Sequence, residues 1–190
     1  AKGEIIAWLN SDDFYEPGCI RGAVKAFERD PELGFVYADG YILDEKTGKK
    51  YLFPETLELD LWKLLNYSDY IMQPTTFFKK SCLEEVGYLD KNLNWVMDWD
   101  LWIRLSMHYK VEYIPQLFAT TREYGETKTS TGGERRIKEI ESMLSRYGKE
   151  DIHFAVENYR AAMNGNKKIW RKIKHELIGA YRDMPICYDD

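Results

Sequence analysis

The sequence predicts an α/β domain: part of a mixed sheet flanked by helices, followed by a helical tail. Three observations carry this. Short apolar runs alternate with amphipathic stretches of helical length, the pattern of a sheet covered by helices. The run Gly3-Glu4-Ile5-Ile6-Ala7-Trp8-Leu9 ends in Asn10-Ser11-Asp12-Asp13 and turns at once at Tyr15, Pro17 and Gly18, as a strand does when its carboxyl end opens into a cleft. Beyond Gly133 strand-like runs stop and helical patterning continues to about Arg182.

Residues 4–9 read as the first strand. Pro17 opens an amphipathic helix reaching Arg29, with Ile20, Val24 and Phe27 on one face. Asp30-Pro31 and Gly34 stop it. Phe35 to Leu43 reads as a strand, Asp44 to Gly48 as a turn, and Lys49 to Phe53 as a returning edge strand. Residues 57–66 have helical spacing of Leu57, Leu61, Leu64 and Leu65. Residues 71–78 form a loop entering a strand. Ser81, with Glu84 three residues on, reads as a capping box for a short helix ended by Gly87. Trp95 to Tyr109 is the strongest helix, and Val111 to Phe118 a last strand interrupted by Pro115. Residues 120–132, polar and rich in Gly, Ser and Thr, read as a mobile loop. The helical tail breaks at 148–151 and 164–166. The domains are then 1–131 and 132–190.

The 190 residues suit one domain with an appendage, and a net charge of −5 offers nothing to a nucleic acid. Cys19, Cys82 and Cys187 are widely spaced and odd in number, which suits reduced thiols in a cytoplasmic protein. No apolar run reaches membrane-spanning length. Aromatic residues make up 15% of the chain, enough to line a sugar- or partner-binding cleft or to enlarge the core. The chain enters its first strand directly after Ala1-Lys2-Gly3. A doubly wound sheet rarely starts at such a strand, so the chain reads as the carboxyl-terminal piece of a longer protein.

Two acidic groups carry the chemistry. Asp12 and Asp13 repel one another unless a cation or hydrogen-bond donors offset their charge, and a hard divalent ion, Mg²⁺ or Mn²⁺, prefers such oxygen ligands. The same four residues, Asn10 to Asp13, are also good turn and helix-capping chemistry. In Met97-Asp98-Trp99-Asp100-Leu101-Trp102-Ile103-Arg104, Asp100 and Arg104 share a helix face and can form a plain ion pair. Asp98 has no basic residue at a matching offset and sits at the helix start, where it can cap the helix or accept a proton from a hydroxyl.

In order, these segments resemble the inverting glycosyltransferases of family 2, which have the GT-A fold. Residues 3–13 look like the strand leading into that family's DxD-type metal motif. Tyr37-Ala38-Asp39 resembles the next strand. Gln73-Pro74-Thr75-Thr76-Phe77-Phe78 with Leu83 to Gly87 resembles the acceptor-side loop and helix. Residues 97–104 resemble the segment carrying the catalytic base, and Arg122 through Lys128-Thr129 the loop that closes over the diphosphate. The resemblance covers residues 1–131 and implies a partial GT-A fold. It also implies transfer of a sugar from a nucleotide-sugar donor to a saccharide or lipid-linked acceptor, with inversion, in cell-surface polysaccharide or glycoconjugate synthesis.

By the same resemblance Asp12 and Asp13 hold Mg²⁺ or Mn²⁺, and Asn10, Arg122 and Lys128 contact the donor. Asp98 is the base, and Gln73, Trp99 and Asp100 face the acceptor. Three positions depart from the family pattern. Asn10 stands where a first aspartate is usual, Met97 replaces the glutamate before the base, and Tyr124 stands where many relatives place a histidine. The family's first strands would precede Ala1, so a non-catalytic fragment or a binding or regulatory module with the same fold is the competing reading. The basic, apolar-striped stretch 167–182 suits either an anionic membrane surface or packing on its own domain, which would place the protein in the cytoplasm or at the inner face of the membrane. A homo-oligomer is compatible with all of this.

Overall fold

The two longest strands of the computed structural model, β3 (Leu33–Asp44) and β6 (Lys110–Glu123), run parallel and form the centre of a six-stranded mixed sheet. The structure describes residues 2–124, 132–148 and 152–163. The remaining strands are β1 (Ile5–Ala7), β2 (Phe14–Tyr15), β4 (Lys50–Leu52) and β5 (Phe77–Lys79). The order is β1-β5-β3-β6-β2, with β4 pairing antiparallel to the far half of β3. β5 lies antiparallel to both β1 and β3, and β2 antiparallel to β6. The helices are α1 (Cys19–Arg29), α2 (Leu61–Asn66), α3 (Lys80–Val86), α4 (Met97–His108), α5 (Gly133–Leu144) and α6 (Ile152–Met163).

β3 shows why two layers of helix are needed. Its first half is buried on both sides, and alternate residues point to opposite faces. Val36 and Ala38 pack with Cys19, Ala23, Ala26 and Phe27 of α1. Phe35 and Tyr37 enter the larger core with Trp102, Ile103 and Leu105 of α4. Leu33 joins the α1 side despite its odd position, because the pairing with β6 shifts register between Leu33 and Phe35. Phe35 stacks on Trp102 at 5.0 Å with planes 7° apart, an offset aromatic contact that adds to area burial. The tail helices close the same core through Ile137, Ile140, Met143, Leu144, Ala155 and Val156.

Several expectations are corrected. α1 begins at Cys19 after a left-handed Gly18 (φ 90°), so Pro17 precedes the helix rather than forming its first turn, and Asp13 does not cap it. Its buried face is Cys19, Ala23, Ala26 and Phe27, whereas Ile20 is exposed. The helix expected over 57–66 is confined to α2, capped by Asp60, whose side chain accepts from the Lys63 amide at 3.1 Å. The capping box at Ser81 does not form: α3 starts at Lys80, directly from β5, and Ser81 lies inside the first turn. Residues 120–123 are not loop but the end of β6, held by pairing with residues 41–44 of β3. Pro115 is carried within β6 where the register also shifts, between Ala38 and Asp39. Lys128, the break at 164–166 and the stretch 167–182 lie outside the described residues.

Candidate active site

The expected site residues fall into two clusters joined by one segment of chain. The first stands at the carboxyl end of β1. Asp13 receives hydrogen bonds on both oxygens: Thr121 Oγ1 donates to Oδ1 at 2.6 Å and Asn10 Nδ2 to Oδ2 at 3.0 Å. Asn10 Nδ2 also donates to Gln73 Oε1 at 2.8 Å, and Gln73 Nε2 donates to the Trp8 carbonyl. Trp8 Nε1 closes the ring onto Asn10 Oδ1 at 3.1 Å. Asp12 accepts from the Tyr124 hydroxyl at 2.9 Å, and that hydrogen bond holds the phenol above its ordinary value. The adjacent carboxylates are thus kept side by side by neutral donors, Thr121 of β6, Tyr124 just beyond it and Asn10, while Gln73 of the short 3-10 turn Gln73–Thr75 anchors Asn10.

Asp12 and Asp13 present oxygen only, the donor chemistry of Mg²⁺ and Mn²⁺. Among the described residues no group of three or more His, Cys, Asp or Glu is placed to hold a metal ion. A cation here would therefore rest on one or two carboxylates and complete its shell with phosphate oxygens and water, which is ordinary for Mg²⁺. The residues present fit that arrangement. Asn10 departs from a carboxylate for a structural reason as well: its amide donates to Asp13 and to Gln73, which an aspartate could not do. Arg122 lies across the Phe14 ring at 5.8 Å and pairs with Glu45 at 3.3 Å.

The second cluster surrounds the start of α4. Asp98 lies in the first turn, and its Oδ1 accepts from the Trp99 amide at 2.9 Å. Asp69, which the sequence reading passed over, is its neighbour. Burial first, and the charge of Asp98 second, push the Asp69 carboxyl well above the usual carboxylate range. The Ile71 amide donates to Asp69 at 3.1 Å, and the field of Arg136 opposes the shift. The signal that could have flagged Asp69 is its place as the last charge before the apolar run Tyr70-Ile71-Met72, which enters the Gln73 turn.

Trp99 and Asp100 do not line a cleft. Trp99 is 1% exposed, with its indole donating to the Leu64 carbonyl at 2.8 Å. Asp100 is 2% exposed and takes the ion-pair alternative, with Arg104 Nε at 2.9 Å and the Tyr147 hydroxyl at 2.6 Å. Both are fixed in the core by the expected helix, one face too far round to reach an acceptor.

The segment from Asp69 to Gln73 links the clusters. The two ends of its backbone are at most about 14 Å apart when extended; Asp69 neighbours Asp98 of α4, and Gln73 is bonded to Asn10 in the turn after β1. Gly40 of β3 makes this segment possible. A Cβ there would meet Met72 Sδ at 2.1 Å and Thr75 Cγ2 at 3.0 Å, so only glycine lets the turn lie against the strand.

A mixed sheet with helices on both faces and an acidic strand end is the architecture of a GT-A-like fold. Comparison with known proteins makes this specific. Residues 1–87 match the model of Glycosyl transferase family 2. The chain is 23% identical over 187 residues to the uncharacterized glycosyltransferase YwdF of Bacillus subtilis, covering 94% of this chain and 67% of that protein. It is 25% identical over 160 residues to an uncharacterized glycosyltransferase of Rickettsia typhi, covering 78% of this chain and 48% of that one. The crystal structure of S. aureus TarS 1-349 superposes with a TM-score of 0.53 at 10% identity, over 93% of this chain and 51% of that one, a likeness of fold. The family model matches the amino-terminal part of this chain, just under half of its 190 residues. The chain spans about half the length of the rickettsial relative and of the TarS structure. Among the described residues no helix is long and apolar enough to cross a membrane.

Proposed function

We propose that this domain transfers a sugar from a nucleotide-sugar donor to an acceptor hydroxyl with inversion, with Asp98 as general base and Asp12 and Asp13 as the seat of Mg²⁺ or Mn²⁺. The observation that carries the reading is the short Asp69–Gln73 connection between the two acidic clusters. The divalent ion supplies charge neutralisation for the departing nucleoside diphosphate. Asp12, held by Tyr124, and Asp13, held by Thr121 and Asn10, give that charge a rigid seat. Gln73 fixes the strand end to the acceptor-side turn.

Asp98, at the amino end of α4, takes the proton from the acceptor oxygen as that oxygen attacks the anomeric carbon from the face opposite the leaving group. The carbon–oxygen bond to the diphosphate breaks, and its electron pair leaves with the nucleoside diphosphate. Asp69 stands beside it, its own carboxyl pushed up by burial and then by the charge of Asp98. Arg122, freed from Glu45, and Lys128 add positive charge beside the diphosphate. Gln73 is the acceptor contact that remains from the expected set. The family resemblance supports a role in cell-surface polysaccharide or glycoconjugate synthesis.

Isothermal titration with Mn²⁺ and UDP, GDP or dTDP tests the donor site, and transfer from the corresponding nucleotide sugars tests the chemistry. Asp98→Asn is expected to lower turnover by about 10²–10⁴-fold while leaving nucleotide binding intact. Transfer that survives this change removes Asp98 as base. Absence of nucleotide binding in the presence of Mn²⁺ favours the non-catalytic module.

A further inference from the structure

The tail helix α5 is seated on the turn that presents Asp98. Glu139 Oε1 accepts from three successive main-chain amides, Asn94 at 2.8 Å, Trp95 at 2.6 Å and Val96 at 3.2 Å. These amides lead into α4, whose N-cap residue Val96 offers no side-chain cap of its own. Just before α5, a Cβ on Gly132 would lie 2.9 Å from Trp95 Nε1, so backbone meets indole there directly. One turn before Glu139, Arg136 lays its guanidinium 4.9 Å over the Tyr159 ring of α6. Tyr159 in turn lies 5.8 Å from the ring of Trp99, the residue after Asp98. Arg136 Nε is buried without a hydrogen-bond partner, although guanidinium nitrogens in a protein interior ordinarily find one.

We infer that Arg136 is a positioning residue for the proposed base: a cation held by α5 and α6 on the Tyr159 ring, which packs against Trp99, the residue next to Asp98 in α4. The inference rests on the reading of Asp98 as base. The groups facing the pair are Asp69 and Asp98 themselves, Glu55 from the segment before α2, Arg136 from α5 and Tyr159 from α6. Arg136 is the cation in this set. At Asp69, burial and the charges of Asp98 and Glu55 favour protonation, and the Ile71 amide and Arg136 oppose it. The helices following the sheet are therefore part of the apparatus around the base.

The test is a carbon-13 carboxyl titration of the aspartates in the 190-residue chain, with Asp69 and Asp98 assigned from Asp69→Asn and Asp98→Asn. Arg136→Met is expected to move the titration of the pair upward by about one pH unit, and Arg136→Lys to restore most of it. Glu139→Ala, which loosens α5 from α4, is expected to shift it in the same direction by less. A pair that titrates identically in the wild type and Arg136→Met overturns the inference. Should Arg136→Met fail to fold, Arg136→Gln and the Glu139→Ala titration carry the same decision. The readout needs no donor, so failure of the glycosyltransferase reading is seen separately, in the absence of transfer from UDP-glucose, UDP-N-acetylglucosamine or GDP-mannose. Where transfer is observed, Arg136→Met is expected to move the acid limb of kcat/KM upward with the carboxyl titration.

Discussion

Thr121 Oγ1 donates to Asp13 Oδ1 at 2.6 Å across 108 residues of chain, tying the end of β6 to the acidic turn after β1. This bond, with that from Asn10, gives Asp13 a neutral donor on each oxygen, where its own turn supplies no basic residue. Thr121→Val keeps the shape and removes the donor. It is expected to cost about 1.5 kcal/mol, the lower end of the range for a hydrogen bond to a charged group, because Asp13 is only half-buried. The change should also weaken Mn²⁺-dependent UDP binding several-fold. A urea midpoint and a calorimetric affinity both unchanged from wild type would remove this strut from the argument.

Tyr124 reports on Asp12. Its phenol is raised because the neutral form donates to the Asp12 carboxylate, and ionisation would break that bond and oppose two like charges. A cation on Asp12 competes for the same oxygen. Saturating Mg²⁺ with UDP is therefore expected to bring the Tyr124 titration down toward the ordinary phenol value. Ring-labelled tyrosine spectra, with Tyr124→Phe to assign the signal, check this. A titration indifferent to metal and nucleotide places the cation elsewhere.

How much of this was legible depended on sequence distance. The strand ending in Asp12-Asp13 and the helix bearing Asp98 stand out because their signals, periodicity and turn residues, are local. Asp100 with Arg104 was readable as an i, i+4 pair, and the structure takes that option. The Asn10–Gln73 bond joins residues 63 apart, and no local pattern encodes it. Asp69 and Glu139 look like ordinary loop and helix-surface acids until the fold brings one beside Asp98 and the other onto three free amides. Ser81 misled because a capping pattern holds only if the preceding residue is not already helical, and β5 hands over to α3 at Lys80 without a break.

Arg104 is where the core is most vulnerable to a polar deletion. It pairs with Asp100, whose side chain is 3% exposed, and donates to the Val86, Gly87 and Tyr88 carbonyls that end α3. Arg104→Met leaves Asp100 buried beside only the Tyr147 hydroxyl and the more distant Arg146 at 3.8 Å. Removing one partner of a buried pair costs about 3–5 kcal/mol, and three orphaned carbonyls add to it. Urea denaturation should show a loss of at least 3 kcal/mol. The double variant Asp100→Leu/Arg104→Met should recover part of it, because the stranded charge is gone.

Asp69 should behave as a functional residue that costs stability. Its folded-state pKa is raised above the ordinary 3.8 of an aspartyl carboxyl, by burial and then by Asp98. Between those two values the native state binds more protons than the unfolded chain, so this group's contribution to stability falls as pH rises through that window and the full penalty is present above it. Asp69→Asn removes the charge but keeps the size and an acceptor for the Ile71 amide. The variant is expected to be more stable than wild type at neutral pH, with the difference vanishing below about pH 4, where both states of the wild-type residue are protonated. The same substitution removes the carboxyl beside the proposed base, so transfer is expected to slow. A variant that is stabilised at pH 7 and slowed together supports a carboxyl pair kept under strain for chemistry. Equal loss of stability at pH 4 and pH 7 would instead make Asp69 a packing residue.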